Sequence, residues 1–335
     1  MTSRELVQKT LTFSCPERVP RVVGALPWAK IYYPTELQKI MRDFPNDTVS
    51  APAFYKDSLP EKGNAYELGE YIDVWGCRFH NRQRGVHGEV KEPLILNENW
   101  EDADNVKFPL PFLSIDRDRI NLFCSGTDKY VKMGFCPRPF ERLQFLRGTE
   151  NLYIDLAEKS PGMLKFVNKL HAFYCDIYEL WADTNVDMMV FMDDWGSQKS
   201  LLINPDIWIE IFKPLYKDYI DIAHRHGKKA FMHSDGNILE IMPHLVELGL
   251  DTINAQIFCM GIQNLIPYKG QITFWGEIDR QHLLPFGSIH DIDNAVRNVK
   301  ESLWHNGGCV AFCEFGAGAR PENVYQVYQS WNEIL

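Results

Sequence analysis

At 335 residues and 38.9 kDa the chain can bury one large core, or two domains of ordinary size. Hydrophobic residues make up 45% and charged residues 24%, a balance that gives no reason to expect long disorder. With 35 basic against 45 acidic residues the net charge is -10, which argues against nucleic acid or an anionic membrane as a partner.

The first residues, Met1-Thr2-Ser3-Arg4-Glu5-Leu6, lack the apolar core of a signal peptide, and no apolar run is long enough to span a bilayer, so a cytoplasmic protein is expected. The eight cysteines show no Cys-x-x-Cys pair and are expected as thiols, mostly buried small hydrophobes, with Cys313 the one of interest. Residues 16–26 read as a turn leading into a first strand. The stretch 27–138 is rich in Pro, Gly, Asn and aromatics and has little sustained period. It reads as a loop-rich elaboration within one domain spanning 1–335, with short strands at 71–75 and 89–91, of the kind that serves as a lid or binding loop.

From about Phe140 onward apolar strands alternate with amphipathic helices. A helix over 161–183 is followed by Met188-Met189-Val190-Phe191-Met192, ending in Asp193-Asp194-Trp195-Gly196-Ser197-Gln198. Asn204-Pro205 offers a helix N-cap with proline in the first turn, and the period of Ile207, Ile211, Leu215, Tyr219 and Ile222 runs to a stop at Gly227. Lys229-Ala230-Phe231-Met232 then ends in His233-Ser234-Asp235-Gly236. A helix over 238–248, strands over 251–256 and 272–275, a helix opened by a Ser288/Asp291 capping box, a strand over 309–312 and a last helix over 321–335 complete the pattern. Five successive strands with polar groups at one end and helices between them predict an α/β fold, a (β/α)8 TIM barrel with its site at the carboxyl ends of the strands. Neither a Gly-x-Gly-x-x-Gly nor a Gly-Lys-Ser/Thr loop is present, so nucleotide binding of those kinds has no support.

His233 and Asp235 alternate along an extended segment and can both face the barrel mouth. With Cys313 from the last strand they offer nitrogen, oxygen and sulfur donors, three protein ligands with an open position, as in a catalytic zinc site. The other reading of His233 is a hydrogen-bonded structural group. Asp193 and Asp194 are adjacent, so only one of them faces the mouth, either to bind or protonate substrate with Gln198 beside it, or as a loop cap. Glu277 and Asp279 are candidates of the same kind, balanced against an Arg280 ion pair or loop hydrogen bonds. Trp75, in the aromatic stretch to His87, can roof an apolar ligand or pack a core. Arg147 reads as a structural partner for a carboxylate more than as a substrate anchor.

Taken together, Asp193-Asp194-Trp195-Gly196-x-Gln198, His233-Ser234-Asp235-Gly236 and the closing Gly307-Gly308, Cys313 and Pro321-Glu322-Asn323-Val324 resemble the uroporphyrinogen decarboxylase superfamily. The resemblance runs from Arg18 and is strongest after Phe140. It implies a TIM barrel and either decarboxylation or corrinoid-linked methyl transfer. The decarboxylases carry an N-terminal Met-Arg-Gln-Ala-Gly-Arg segment whose arginines hold substrate carboxylates, whereas this chain reads Val22-Val23-Gly24-Ala25-Leu26-Pro27-Trp28. The methyltransferase branch is therefore the closer likeness and decarboxylation the second. Zinc members of that branch use a His-x-Cys pair and a later Cys, which implies His233, Asp235 and Cys313 here, with a carboxylate in place of the first thiolate. The branch implied is the one that demethylates methoxylated aromatics or other methylated small molecules and passes the methyl group to cob(I)alamin on a separate corrinoid protein. A protonated carboxyl among Asp194, Glu277 and Glu314, or the metal, would assist the leaving heteroatom. A ligand-binding barrel without chemistry is a third reading, and a homodimer is left open.

Overall fold

A computed structural model describes residues 1–333, so the last two positions of the expected final helix lie outside the described residues. The main strands are β1 (Arg21–Ala25), β2 (Thr48–Ser50), β3 (Tyr130–Lys132), β4 (Met188–Met192), β5 (Lys229–Ser234), β6 (Thr252–Ala255), β7 (Thr273–Gly276) and β8 (Ala311–Phe315). Six of them form one parallel sheet in the order β7-β6-β5-β4-β3-β2, and β1 pairs in parallel with β8. The two sheets meet where Phe274 bridges to Cys309 and Glu277 to Phe312, and where the Asp47 amide donates to the Arg21 carbonyl at 2.9 Å. The result is a TIM-like α/β fold.

Alternation along the strands sorts their side chains into two cores. One set points outward to the helices and joins the large core that includes Val23, Val131, Phe191, Met232 and Ile253. The other points inward: Val22, Tyr130, Met188, Phe231, Trp275 and Val310 form a separate cluster. Helix α1 (Ser3–Leu11), started by a Thr2/Glu5 capping box, adds Val7 and Leu11 to that inner cluster and so plugs the amino-terminal end of the strands. The carboxyl end stays open to polar groups.

The stretch 27–138 does contain the expected irregular structure, including an antiparallel sheet of Gly69–Ile72, Arg78–Asn81 and Glu89–Glu92. It also holds β2 and β3, which the sequence reading did not separate from loop because three residues are too few to show a period. The helix opened by Asn204 is not uniform. Its Trp208–Phe212 turn widens before α4 (Lys213–Arg225), and Pro214 follows with no N–H for the carbonyl four residues back. Helix α3 (Pro161–Ala182), which comes after α2 (Pro139–Arg147) in the chain, packs beside α4 on the outer wall. The Ser288/Asp291 capping box opens Ile289–Leu303 as expected. Among the described residues no helix is long and apolar enough to cross a membrane.

Candidate functional site at the carboxyl end of the strands

Each inward file of side chains ends in a chemical group. On β5 the file is Phe231, His233 and then Asp235; on β4 it is Met188, Val190, Met192 and then Asp194. On β7 Trp275 is followed by Glu277, and on β8 Val310 and Phe312 lead to Glu314. Four carboxylates and one imidazole therefore converge at the mouth, and Arg280, from the loop after β7, lies among them.

Two glycines lock the loops after β4 and β5 together. A Cβ on Gly236, whose φ is +78°, would sit 1.9 Å from the Gly196 carbonyl oxygen. That close approach allows the Gly196 amide to donate to the Asp235 carbonyl at 3.0 Å and the Asn237 amide to the Ser197 carbonyl at 2.7 Å. The Asp235 amide also donates to Asp194 Oδ1 at 3.0 Å, which holds the two carboxylates side by side.

His233 is oriented from behind. Asn254 donates its amide to the Trp275 carbonyl at 2.7 Å, so its Oδ1 accepts, and His233 Nδ1 must donate to it at 2.6 Å. Nε2 is thereby left facing Asp194 Oδ1 at 3.5 Å and Asp235 Oδ1 at 3.6 Å. Burial works against the His233 imidazolium, but Asp235 and Asp194 outweigh it and raise its pKa. Asp235 Oδ1 is buried with no hydrogen-bond partner, while Oδ2 accepts from Arg280.

The ligand atoms of Asp194, His233 and Asp235 lie within 4.8 Å of one another, a group able to hold a divalent cation. One imidazole, oriented by a second-layer hydrogen bond, and two carboxylates, one with an orphaned oxygen, fit zinc and also harder divalent ions. Cys313 does not join them, which corrects the expected ligand set. Its position on β8 has outward parity, opposite to Glu314, and its thiol contacts the Tyr328 hydroxyl of the last helix at 3.6 Å. Burial pushes that thiol up to about 12. Cys313→Ala should leave divalent-ion content unchanged and cost about 1 kcal/mol of packing, measured by metal analysis and urea unfolding; loss of the ion would restore Cys313 as a ligand.

Glu277 is the second distinctive group. It is 1% exposed, and neither carboxylate oxygen has a hydrogen-bond partner. Arg280 approaches to 3.7 Å but is bonded to Glu314 at 2.8 Å and to Asp235. Burial, reinforced by the charges of Glu314 and Asp235, pushes the Glu277 carboxyl up to about 8, so it keeps its proton at neutral pH. Glu314 and Asp194 are also raised by burial, whereas His233 and Arg280 draw Asp235 below its ordinary value against the effect of burial.

The remaining expected contacts divide. Gln198 donates to Gln256 at 3.0 Å on the wall of a cavity of about 480 Å³ that also touches Glu277, Asp279 and Arg280. Asp279 accepts from the Gln281 and His282 amides, at 2.8 and 2.9 Å, and so shapes that wall as a loop cap. Asp193 is not at the mouth. It is fully buried on the outward side, where it accepts from the Phe140 and Glu141 amides at 3.1 and 2.8 Å and from the Tyr216 hydroxyl at 2.6 Å. It caps the helix Pro139–Arg147, which corrects its expected role in binding. Trp75 is buried between Phe108, Phe173 and Tyr174 and forms part of a second cavity of about 460 Å³, beside Phe135 and Arg138 after β3. Arg147 is structural, donating to Asp155 at 2.7 Å and to the Ile95 and Asn97 carbonyls.

One inward residue escaped the sequence reading. Lys132, two positions after the inward Tyr130, extends its ammonium over the rings of Phe231 and Trp275, at 5.5 and 5.2 Å. Burial lowers its pKa. The same alternation that marks His233 would have marked it had β3 been recognised as a strand.

These features can be set beside known proteins. A sequence model for uroporphyrinogen decarboxylase (URO-D) matches residues 74–333. The chain belongs to the uroporphyrinogen decarboxylase family. Among solved structures, this family member is similar to a methyltransferase from Methanosarcina mazei, with a TM-score of 0.69 and 12% identity over 99% of both chains. A B12-independent methionine synthase from Shewanella aligns with a TM-score of 0.47 and 10% identity, over 67% of this chain and 66% of that one. No curated protein matches this sequence.

Proposed function

We propose that this protein is a methyltransferase that moves a methyl group from a methoxylated aromatic to the cob(I)alamin of a separate corrinoid protein. The observation that carries the reading is the buried Glu277, both of its carboxylate oxygens without a hydrogen-bond partner, beside the Asp194, His233 and Asp235 group. We also read the ring of parallel strands as a closed (β/α)8 barrel, whose carboxyl end brings donor and acceptor together.

The difficulty in demethylating an ether is the leaving oxygen, since an alkoxide leaves poorly. Glu277 can donate its proton to that oxygen as the methyl group departs, which is general acid catalysis worth about 10²- to 10⁴-fold. Arg280, bonded to Glu314 and Asp235, fixes the neighbouring charges and leaves both Glu277 oxygens free of hydrogen bonds. A divalent cation, zinc first among them, would be held by Asp194, His233 and Asp235 and would supply Lewis-acid polarisation of the same oxygen. The cavity that reaches Glu277 and Arg280 also has Phe258 on its wall, apolar surface that suits a flat ring.

The mouth's charge argues against a polycarboxylate substrate. With Glu277 protonated, Asp194, Asp235 and Glu314 still outnumber Arg280 and His233, so an anion rich in carboxylates would meet repulsion and few counter-charges. Decarboxylation of such a substrate therefore ranks second.

The test is metal content together with methylation of free cob(I)alamin by a panel of methoxylated aromatics, for wild type and His233→Ala. A divalent ion held in the wild type and missing from the variant, with methyl transfer lost alongside it, supports the full reading. Methyl transfer that survives loss of the ion moves the chemistry to Glu277. Absence of turnover with every donor overturns methyl transfer and returns decarboxylation or simple ligand binding to the front.

A further inference from the structure

Far from the mouth, on the outer wall, a second group of donors spans two helices. His171 and Cys175 stand one turn apart on α3, and Asp218 projects from the neighbouring α4. Their ligand atoms lie within 4.8 Å of one another. We propose that His171, Cys175 and Asp218 form a second divalent-metal site, suited to a borderline ion such as zinc, that pins α3 to α4.

The distances carry the argument. Nitrogen and sulfur donors at about 2.0 and 2.3 Å from a tetrahedral zinc are separated by about 3.5 Å. His171 Nε2 and Cys175 Sγ are 3.5 Å apart already. Nε2 and Asp218 Oδ2 are 2.8 Å apart, a hydrogen-bond distance that needs to open by about 0.5 Å to admit the ion. Asp218, with a side chain 57% exposed, has the freedom to make that adjustment and leaves the fourth position to water.

The second ring nitrogen is placed as a metal-bound histidine requires. His171 Nδ1 lies 3.3 Å from the hydroxyl of Tyr219, a fully buried side chain, so Nε2 is the nitrogen turned to the donors while Nδ1 is engaged from behind. The field favours a cation as well. Asp218, Asp176 and Glu179 all bear on the Cys175 thiol with negative charge, which a cation offsets. Arg225, whose charge opposes theirs, is bonded to Glu179 at 2.5 Å. Without an ion, the same residues make a His171–Asp218 pair with a neutral thiol beside it, and the experiment separates the two states.

Cobalt(II) is the probe, because a thiolate ligand gives it a near-ultraviolet charge-transfer band, whereas the mouth group of Asp194, His233 and Asp235 has no sulfur donor. Titration of the full-length, metal-free protein with Co²⁺ should develop that band in the wild type and in His233→Ala. It should be absent from Cys175→Ser, and zinc should displace the cobalt. Competition titrations should show zinc binding at this site weakened at least about tenfold in His171→Ala. A melting curve without metal verifies that Cys175→Ser and His171→Ala are folded. No band in the wild type, or a band that persists in Cys175→Ser, overturns the proposal. Neither outcome depends on methyl transfer, so failure here and failure of the proposed function are read separately.

Discussion

Replacing Glu277 by Gln should flatten the fall of folding stability with rising pH. In the folded protein burial, with Glu314 and Asp235 beside it, holds this carboxyl at about 8; in the unfolded chain it ionises near its ordinary value, about 4.3. Between those limits the folded state keeps a proton that the unfolded state has lost, so stability drops by about 1.4 kcal/mol per pH unit. The stability is fully present below the unfolded value and is lost as pH rises through about 8, where the slope ends. Gln is neutral throughout and removes that slope, so the variant gains on the wild type across the neutral range. Urea unfolding of both proteins between about pH 5 and 9 measures it; parallel curves would mean that Glu277 is ionised in the fold. Glu314→Gln removes a neighbouring negative charge and should move the wild-type break to lower pH. Methyl transfer should follow the same proton, failing above about pH 8 in the wild type and slowed about 10²- to 10⁴-fold in Glu277→Gln at neutral pH.

What the sequence made legible follows from the length of its strands. β4, β5 and β8 run to five or six residues and announce themselves as apolar runs ending in polar clusters, so alternation places His233 and Asp235 together at the mouth and only one of Asp193 and Asp194 with them. The same rule, applied to Phe312, Cys313 and Glu314, gives Glu314 the inward parity and Cys313 the outward one. The expectation that Cys313 is a ligand came from its sulfur donor near a strand end, and then from resemblance, and it failed because parity along a strand outranks residue type. β2 and β3 are three residues each within a stretch of little sustained period, so Lys132 had no visible strand to be inward on. Trp75 was expected near an aromatic roof, and it does form part of a cavity, but its burial against Phe108, Phe173 and Tyr174 depends on contacts up to a hundred positions away that no local pattern encodes. The orphaned oxygens of Glu277 are likewise a product of packing: nothing in Trp275-Gly276-Glu277 says that Arg280 will turn to Glu314 and Asp235.

Two adjacent aspartates should give opposite phenotypes. Asp193→Ala removes the acceptor of two backbone amides and of the Tyr216 hydroxyl, which itself accepts from Trp195 Nε1 at 2.7 Å. A buried donor left without a partner costs about 1–3 kcal/mol, so with partial relaxation the variant should lose about 4 kcal/mol. Asp193→Asn keeps one acceptor oxygen and should fall between the two. Asp194→Ala gives up one hydrogen bond, from the Asp235 amide, at a side chain 38% exposed, and its loss of attraction to His233 is offset by relief of repulsion with Asp235. Its stability should stay within about 1 kcal/mol of the wild type while divalent-ion affinity at the mouth drops at least about tenfold. Urea unfolding and metal titration of the two alanine variants test the pair together. Equal stability of Asp193→Ala and wild type would deny the capping role, and undiminished ion binding by Asp194→Ala would remove it from the mouth's ligand set. The contrast rests on one property of an extended chain: successive side chains leave it on opposite sides, so one carboxylate is committed to holding the fold and the next is free for chemistry.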